Sequence, residues 1–267
     1  MYIIVLNIAD ITIQIQSEIK GVIDRFKEFY KHFIITINTD SLDYIIEIMI
    51  SDFDVNIVEN KNETKKNNFN YQGYAYKQNK ENNKSILIIQ SVKNAFQYTE
   101  EFLLFIFSEL CMKKSKLIFH SATLFDVDFN CYIFFGPSGI GKSTLSKKMT
   151  SLSVFSDDMV VIKKTKRGFK LYKTPFERNK TKKSPLNVDI KGFYRLVQTD
   201  KSNKVLLSSG KGITALLSNF WFNKYSKINF YKYIIKAKEL FDDIPVYELH
   251  LDKETKENEI IIILKNK

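Results

Sequence analysis

Cysteine is nearly absent from this chain: its 267 residues include two, Cys111 and Cys131. Two thiols give neither a disulfide framework nor metal-ligand spacing. Each lies in an apolar run, so both are expected to be buried and reduced. Arginine is scarce too, with Arg25, Arg167, Arg178 and Arg195 alone, so the net charge of +11 rests almost wholly on lysine. Lysine, asparagine and isoleucine are abundant together, as a compositional bias of the coding sequence would produce. Basic clusters are not interleaved with aromatic residues in the manner of a base-stacking platform. Nucleic acid is therefore not the expected partner, and most lysines are read as a solvated face. Long apolar runs are missing as well. The most apolar helical window, Phe102 to Phe107, is bounded by Glu100, Glu101 and Glu109 and is too short to span a bilayer. The N-terminal stretch lacks a basic segment and carries Asp10, so it reads as a strand and not as a signal peptide. A cytoplasmic protein with no membrane partner is the resulting expectation.

What is present suits a globular protein. A hydrophobic content of 44% over this length can bury one large core or two modest ones. Residues 1–92 read as a β-rich accessory region. Ile11 to Gln16 alternates strictly, as a half-buried strand does. Phe33 to Ile37, Tyr44 to Ile50, Phe69 to Tyr76 and Ser85 to Val92 are further strand candidates, with a polar loop from Glu59 to Asn68 between them. Residues 93–116 read as a helix with Phe96, Phe102, Leu103, Phe107 and Leu110 on its apolar face. It leads into a second region, 93–267.

That region is organised around one stretch. Tyr132 to Phe135 is a short apolar run suited to a buried strand. Gly136-Pro137-Ser138-Gly139-Ile140-Gly141-Lys142-Ser143 follows at once and matches G-x-x-x-x-G-K-[ST], and Thr144 to Met149 continues as a helix. The glycines allow the loop to curl so that successive N–H groups face phosphate oxygens, and the helix N-terminus adds partial positive charge there. Lys142 can reach β- and γ-phosphates, and Ser143 can offer its hydroxyl to Mg²⁺. ATP and Mg²⁺ are the cofactors this predicts, with Gly136 through Thr144 as the binding segment. Asp157 and Asp158 follow 15 and 16 residues past the lysine. One of such a pair can hold the metal while the other accepts a proton from an attacking hydroxyl.

Upstream, Leu117 to Asp126 reads as a strand containing His120. By itself, a histidine in an apolar strand is a core residue. Downstream, Met159 to Ile162, Gly168 to Lys173, Val188 to Gln198, Val205 to Leu207, Ile244 to Leu251 and Glu259 to Leu264 read as strands, and Ile213 to Phe241 as a helix with Trp221 on it. Ser208 to Gly212 resembles a second phosphate loop at a glance but lacks the first glycine, so it reads as a serine-capped helix start. Arg178 sits in a loop and would suit a phosphoryl group in transit, with a surface arginine as the alternative. Lys180, Lys182 and Lys183 are either a cap over substrate or part of the general lysine excess. Arg195 and His250 are read as structural.

His120-Ser121-Ala122, then GPSGIGKST, then Asp157-Asp158, resembles the catalytic domain shared by HPr kinase/phosphorylase and phosphoenolpyruvate carboxykinase. The similarity extends roughly over residues 115–265, with its specific motifs in 120–158. It implies an α/β fold with a mixed (α+β) sheet of the carboxykinase and HPr kinase P-loop type. It also implies that His120 lies beside the aspartates, that Ser143 and Asp158 are near the metal, and that Asp157 acts as base. The chain departs from that family in lacking the E-x-R-G core after the aspartates. It is similar to the short HPr-kinase-related proteins of peptide natural-product clusters. The implied activity is ATP- and Mg²⁺-dependent transfer of a phosphoryl group to an alcohol. The expected acceptor is a serine of a peptide or protein, with Asp157, His120, Lys142 and Arg178 as catalytic residues. A small-molecule acceptor, such as a free amino acid, and a nucleotide-binding module without transfer are the alternatives. An oligomer is compatible with all three.

Overall fold

A computed structural model describes residues 1–36, 41–51, 68–71, 74–79, 81–166, 168–176, 185–221 and 230–266. These fall into two compact units, Met1–Leu110 and the described residues from Cys111 onward. The first unit opens with strands β1 (Tyr2–Ile8) and β2 (Ile11–Ser17), paired as a hairpin. Its two connecting residues, Ala9 and Asp10, have φ of 52° and 55°. Two successive positive angles give a turn whose twist matches that of paired strands. Helix α1 (Lys20–Phe29) then carries the chain to β3 (Tyr44–Ile50), which lies parallel to β2. The strand-rich reading of this region missed α1. Its signal was the spacing of Val22, Ile23 and Phe26, which share one buried face. Of the expected strand Phe33 to Ile37, the described part forms one bridge, Ile34 to Leu6, and Ile37 lies outside the described residues.

Strands β4 (Asn68–Tyr71), β5 (Tyr74–Asn79) and β6 (Lys84–Ile89) complete a six-stranded mixed sheet in the order β1-β2-β3-β6-β5-β4. The expected strand Phe69 to Tyr76 is thus two antiparallel strands. The expected polar loop from Glu59 lies outside the described residues up to Asn68. Helix α2 (Val92–Lys113) follows. The Phe102 and Phe105 rings lie 4.7 and 5.8 Å from Tyr76, and Phe96 lies 4.7 Å from Phe26. The Arg25 guanidinium sits 4.9 Å above the Phe96 ring. This aromatic face ties most of α2 to the first unit. The division between the two compact units falls at Leu110, near the helix's end.

The second unit contains β7 (Lys116–His120), β8 (Ala122–Phe125), β9 (Asn130–Phe135), α3 (Lys142–Lys148), β10 (Ser153–Ser156), β11 (Met159–Thr165), β12 (Gly168–Lys173), β13 (Leu186–Gln198), β14 (Asn203–Leu206), α4 (Ser209–Leu217), α5 (Phe230–Asp243), β15 (Val246–Leu251) and α6 (Glu257–Lys265). Its sheet runs β10-β8-β9-β13-β12-β11-β7, with β15 on β13 and β14 on β15. Strand β13 joins the parts. Its start pairs with β12, its middle runs parallel to β9, and its end runs parallel to β15. One apolar cluster gathers Phe119, Phe135 and Phe193 against Ala215 and Leu216 of α4 and Tyr233, Ala237 and Leu240 of α5. A second gathers Phe134, Tyr194 and Leu249 against Leu145 of α3 and Ile260 and Leu264 of α6. The chain is thus a mixed α/β protein with mixed sheets and few helices. Among the described residues, no helix is long and apolar enough to cross a membrane.

Four expectations need correction. Leu117 to Asp126 is two strands broken at Ser121, because β7 pairs with β11 whereas β8 pairs with β9 and β10. Glu259 to Leu264 is helical. Its run of isoleucines has strand propensity, but Ile260 and Leu264 repeat at helical spacing into the second cluster, and tertiary packing overrides propensity. The expected helix from Ile213 to Phe241 ends first at Leu217 and is resumed from Phe230, while Trp221 donates its backbone N–H to Ile118 at the edge of β7. Ser208 stands at the N-cap of α4, but its side chain makes no capping hydrogen bond. Gly212 in α4 is a packing glycine, since a Cβ there would lie 2.3 Å from the Phe241 ring.

Candidate functional site

The glycine loop leaves β9 and enters α3, as the motif's spacing requires. Gly136, Gly139 and Gly141 have φ of 143°, 81° and 108°, a region closed to most side chains. At Gly136 it is the backbone angle that requires glycine, since a Cβ would meet the Ile140 side chain and the Leu196 carbonyl only at ordinary contact distances of 3.4 and 3.6 Å. The Lys142 ammonium turns back onto this loop and donates to the carbonyls of Gly136 at 2.8 Å and Pro137 at 3.2 Å. Burial lowers its pKa from the ordinary lysine value, and the Asp158 carboxylate opposes that shift.

Three strand ends bring the other groups to this loop. Strand β7 ends at His120, opposite Met159, the first residue of β11. The His120 N–H donates to the Asn219 carbonyl at 2.9 Å and the Ser121 N–H to the Asp158 carbonyl at 3.0 Å. The break at Ser121 is therefore fixed from both sides. Behind it, the buried hydroxyls of Ser121 and Thr123 lie 3.0 Å apart. Asp157 and Asp158 lie in the short turn between β10 and β11, both half-buried. His120 Nε2 is 3.6 Å from Asp158 Oδ1. That distance is an electrostatic contact and not a hydrogen bond. Burial, then the Lys142 charge, lowers the His120 pKa, and Asp158 opposes them. The neutral imidazole is therefore favoured at neutral pH.

These groups surround a cavity of about 350 Å³. Ser138, Gly139, Gly141, Lys142, Ser143 and Thr144 line it together with His120, Asp157 and Asp158. Of the remaining loop residues in the expected site, Gly136 and Pro137 contact the lysine through their carbonyls, and Ile140 lines a neighbouring cavity. Arg178 lies outside the described residues, as do Arg167, Lys180, Lys182 and Lys183. The resemblance implies that His120 lies beside the aspartates, and in the structure it lies against Asp158. Among the described residues, no group of three or more His, Cys, Asp or Glu could hold a metal ion alone. The oxygen donors lining the cavity, Ser143 and the two aspartates, suit a hard cation such as Mg²⁺, which takes few protein ligands and completes its shell with water and phosphate oxygens. Sequence reasoning missed the Ser121–Thr123 pair, because nothing in LIFHSATLFD marks a break between strands.

Arg195 donates to Glu248 at 3.1 Å on a half-exposed surface, and His250 lies 3.4 Å from the same glutamate. Neither lines the cavity. The two cysteines are free and buried, and burial raises both thiol pKa values far above the ordinary range.

No protein-family model matches this chain, and no curated protein does. Among solved structures, the Hpr(Ser) kinase/phosphatase from Coxiella burnetii is similar with a TM-score of 0.30 and 12% identity, over 54% of this chain and 90% of that one. So slight a likeness carries no argument, and the reading of the site rests on its own geometry.

Proposed function

We propose that this protein is an ATP- and Mg²⁺-dependent phosphotransferase with an alcohol acceptor, moving the γ-phosphoryl group to a serine hydroxyl of a peptide or protein. The observation that carries this reading is the gathering of Lys142, Ser143, His120, Asp157 and Asp158 around one cavity beside the glycine loop. A loop of this shape offers backbone N–H groups to phosphate oxygens. Lys142, now held by two loop carbonyls, would turn to the β- and γ-phosphates. Ser143 and Asp158 would hold Mg²⁺, which when bound neutralises charge on those phosphates.

Asp157 would accept the proton of the serine hydroxyl. The serine Oγ then bonds to the γ-phosphorus, the bond from phosphorus to the β,γ-bridging oxygen breaks, and ADP leaves. His120, favoured neutral, lies 3.6 Å from Asp158 and so adds no positive charge beside the carboxylate that would hold the cation. Arg178 keeps in this reading the role of neutralising charge on the moving group. Such transfer depends on positioning and electrostatics, which is what the gathered side chains supply.

The test is intact mass spectrometry of serine-containing peptides and co-expressed proteins incubated with the protein, ATP and Mg²⁺. A gain of one phosphate unit that disappears with Lys142→Ala is the expected result. Label transferred only to a small product would move the acceptor class. ATP binding without any transfer would sink the proposal and leave a nucleotide-binding module.

A further inference from the structure

The two aspartates are held between two fixed points of the sheet. Strand β10 ends at Ser156, opposite Thr123 of β8, and β11 begins at Met159, opposite His120 of β7. Only Asp157 and Asp158 lie between them, so the turn has no slack. The pairing of β10 with β8 also slips by one residue. Val154 lies opposite Leu124 and Ser156 opposite Thr123, which leaves Phe155 as an extra residue. Its ring is buried in the apolar cluster of Phe119, Phe135 and Phe193. An inserted residue changes which face the following side chains present, and bulges recur beside active sites for that reason. Here the aspartates follow one residue later.

Ser121 ties the two points together. Its N–H donates to the Asp158 carbonyl at 3.0 Å, and its hydroxyl lies 3.0 Å from that of Thr123. Both residues are fully buried. Thr123 stands on β8 between Ile133 of β9 and Ser156 of β10, where a valine would have the same shape. A buried hydroxyl pair adds little net stability over an apolar pair of that shape, because each hydroxyl gives up water to be there. What it adds is direction. The bond fixes the Ser121 side chain, and with it the residue whose N–H holds Asp158. Carboxylates that hold a cation depend on outer partners for their orientation.

We propose that Thr123 is a positioning residue for Asp158, acting through Ser121, and that the hydroxyl pair sets where the Asp158 carboxylate meets the cation. The inference rests on the phosphotransferase reading, in which Asp158 and Ser143 hold Mg²⁺. Thr123 does not itself line the cavity. The path runs from the Thr123 hydroxyl to the Ser121 hydroxyl, from the Ser121 N–H to the Asp158 carbonyl, and from Asp158 to the cavity.

The test is calorimetric binding of β,γ-imido-ATP to the full chain over a series of Mg²⁺ concentrations, which needs no turnover. Mg²⁺ should tighten binding to the wild-type protein. In Thr123→Val the half-saturating Mg²⁺ concentration should rise about tenfold, the lower end of the loss for outer partners of a metal ligand. Binding of the analogue in EDTA should not change. Thr123→Ser keeps the hydroxyl and should keep the wild-type value. The double variant Ser121→Ala/Thr123→Val strands no buried hydroxyl, so it serves where the single one does not fold, and it should show the same rise. A wild-type Mg²⁺ response in a folded valine variant, single or double, would overturn the positioning role. So would an equal loss in Thr123→Ser. If neither valine variant folds, the pair is a requirement of the fold and the role is withdrawn. A wild-type protein whose binding ignores Mg²⁺ would instead remove the cation from the phosphotransferase reading, and this role with it.

Discussion

In the N-terminal unit several polar side chains meet in pairs where elements join, whereas in the second unit one group of titratable side chains faces a cavity. Tyr30 donates to Glu100 at 2.8 Å, Tyr44 lies 2.8 Å from the Ser85 hydroxyl, and Asp43 accepts from the Thr12 N–H at 2.9 Å. Each pair sits where strands and helices already meet, and satisfies groups whose burial would otherwise cost stability. In the second unit, Lys142, His120, Asp157 and Asp158 instead face a cavity, and Lys142 is satisfied by loop carbonyls. Burial lowers the pKa values of both Lys142 and His120, and the Asp158 carboxylate opposes each shift. The difference is between polar groups that satisfy one another where elements meet and titratable groups that face a cavity.

The largest expected effect breaks the second unit's side of that comparison. Asp157→Asn should lower phosphoryl transfer by about 10²–10⁴-fold, the range lost with a general base, while ATP affinity changes little. Lys142→Ala should lower transfer by at least about 10²-fold and weaken ATP binding as well. Full transfer by the Asp157 variant, measured in the same mass assay, would remove that residue as the base.

The first unit should respond in the opposite way. Phe102→Ala removes a fully buried ring from α2 and should cost about 3–5 kcal/mol in denaturant unfolding. ATP affinity of the folded fraction should not change. Gly212→Ala sharpens the point within the second unit. Helix propensity alone would make it stabilising by about 1 kcal/mol. The Phe241 ring in the way of the new methyl should instead make it destabilising by about 1–3 kcal/mol.

Two smaller effects concern groups outside the cavity. Cys111 and Cys131 should resist alkylation in the native protein and react fully once it is unfolded, because burial disfavours both thiolates. Rapid labelling of native protein would contradict their placement. The smallest effect is a pH dependence. Hydrogen bonds from Ser151 and Thr150 lower the Glu257 pKa from 4.5 to about 2. Its contribution is therefore fully present above about pH 4.5 and is lost as pH falls towards 2. Glu257→Gln should flatten that part of the acid-unfolding curve, followed by circular dichroism.

The sequence by itself determined the strand, glycine loop and short helix from Cys131 to Lys148, because the backbone angles of that loop require glycine at that spacing. It also determined most strands of both units, since alternation of side chains is a local property. Residues 120, 157 and 158 were legible as candidates, but only the pairing of β7 with β11 carries His120 to Asp158. Helix α1 was hidden in a strand-rich stretch, and α6 was disguised by β-branched residues. The break at Ser121 had no composition to mark it. These were decided by tertiary structure, because each depends on which distant surface a residue can bury against.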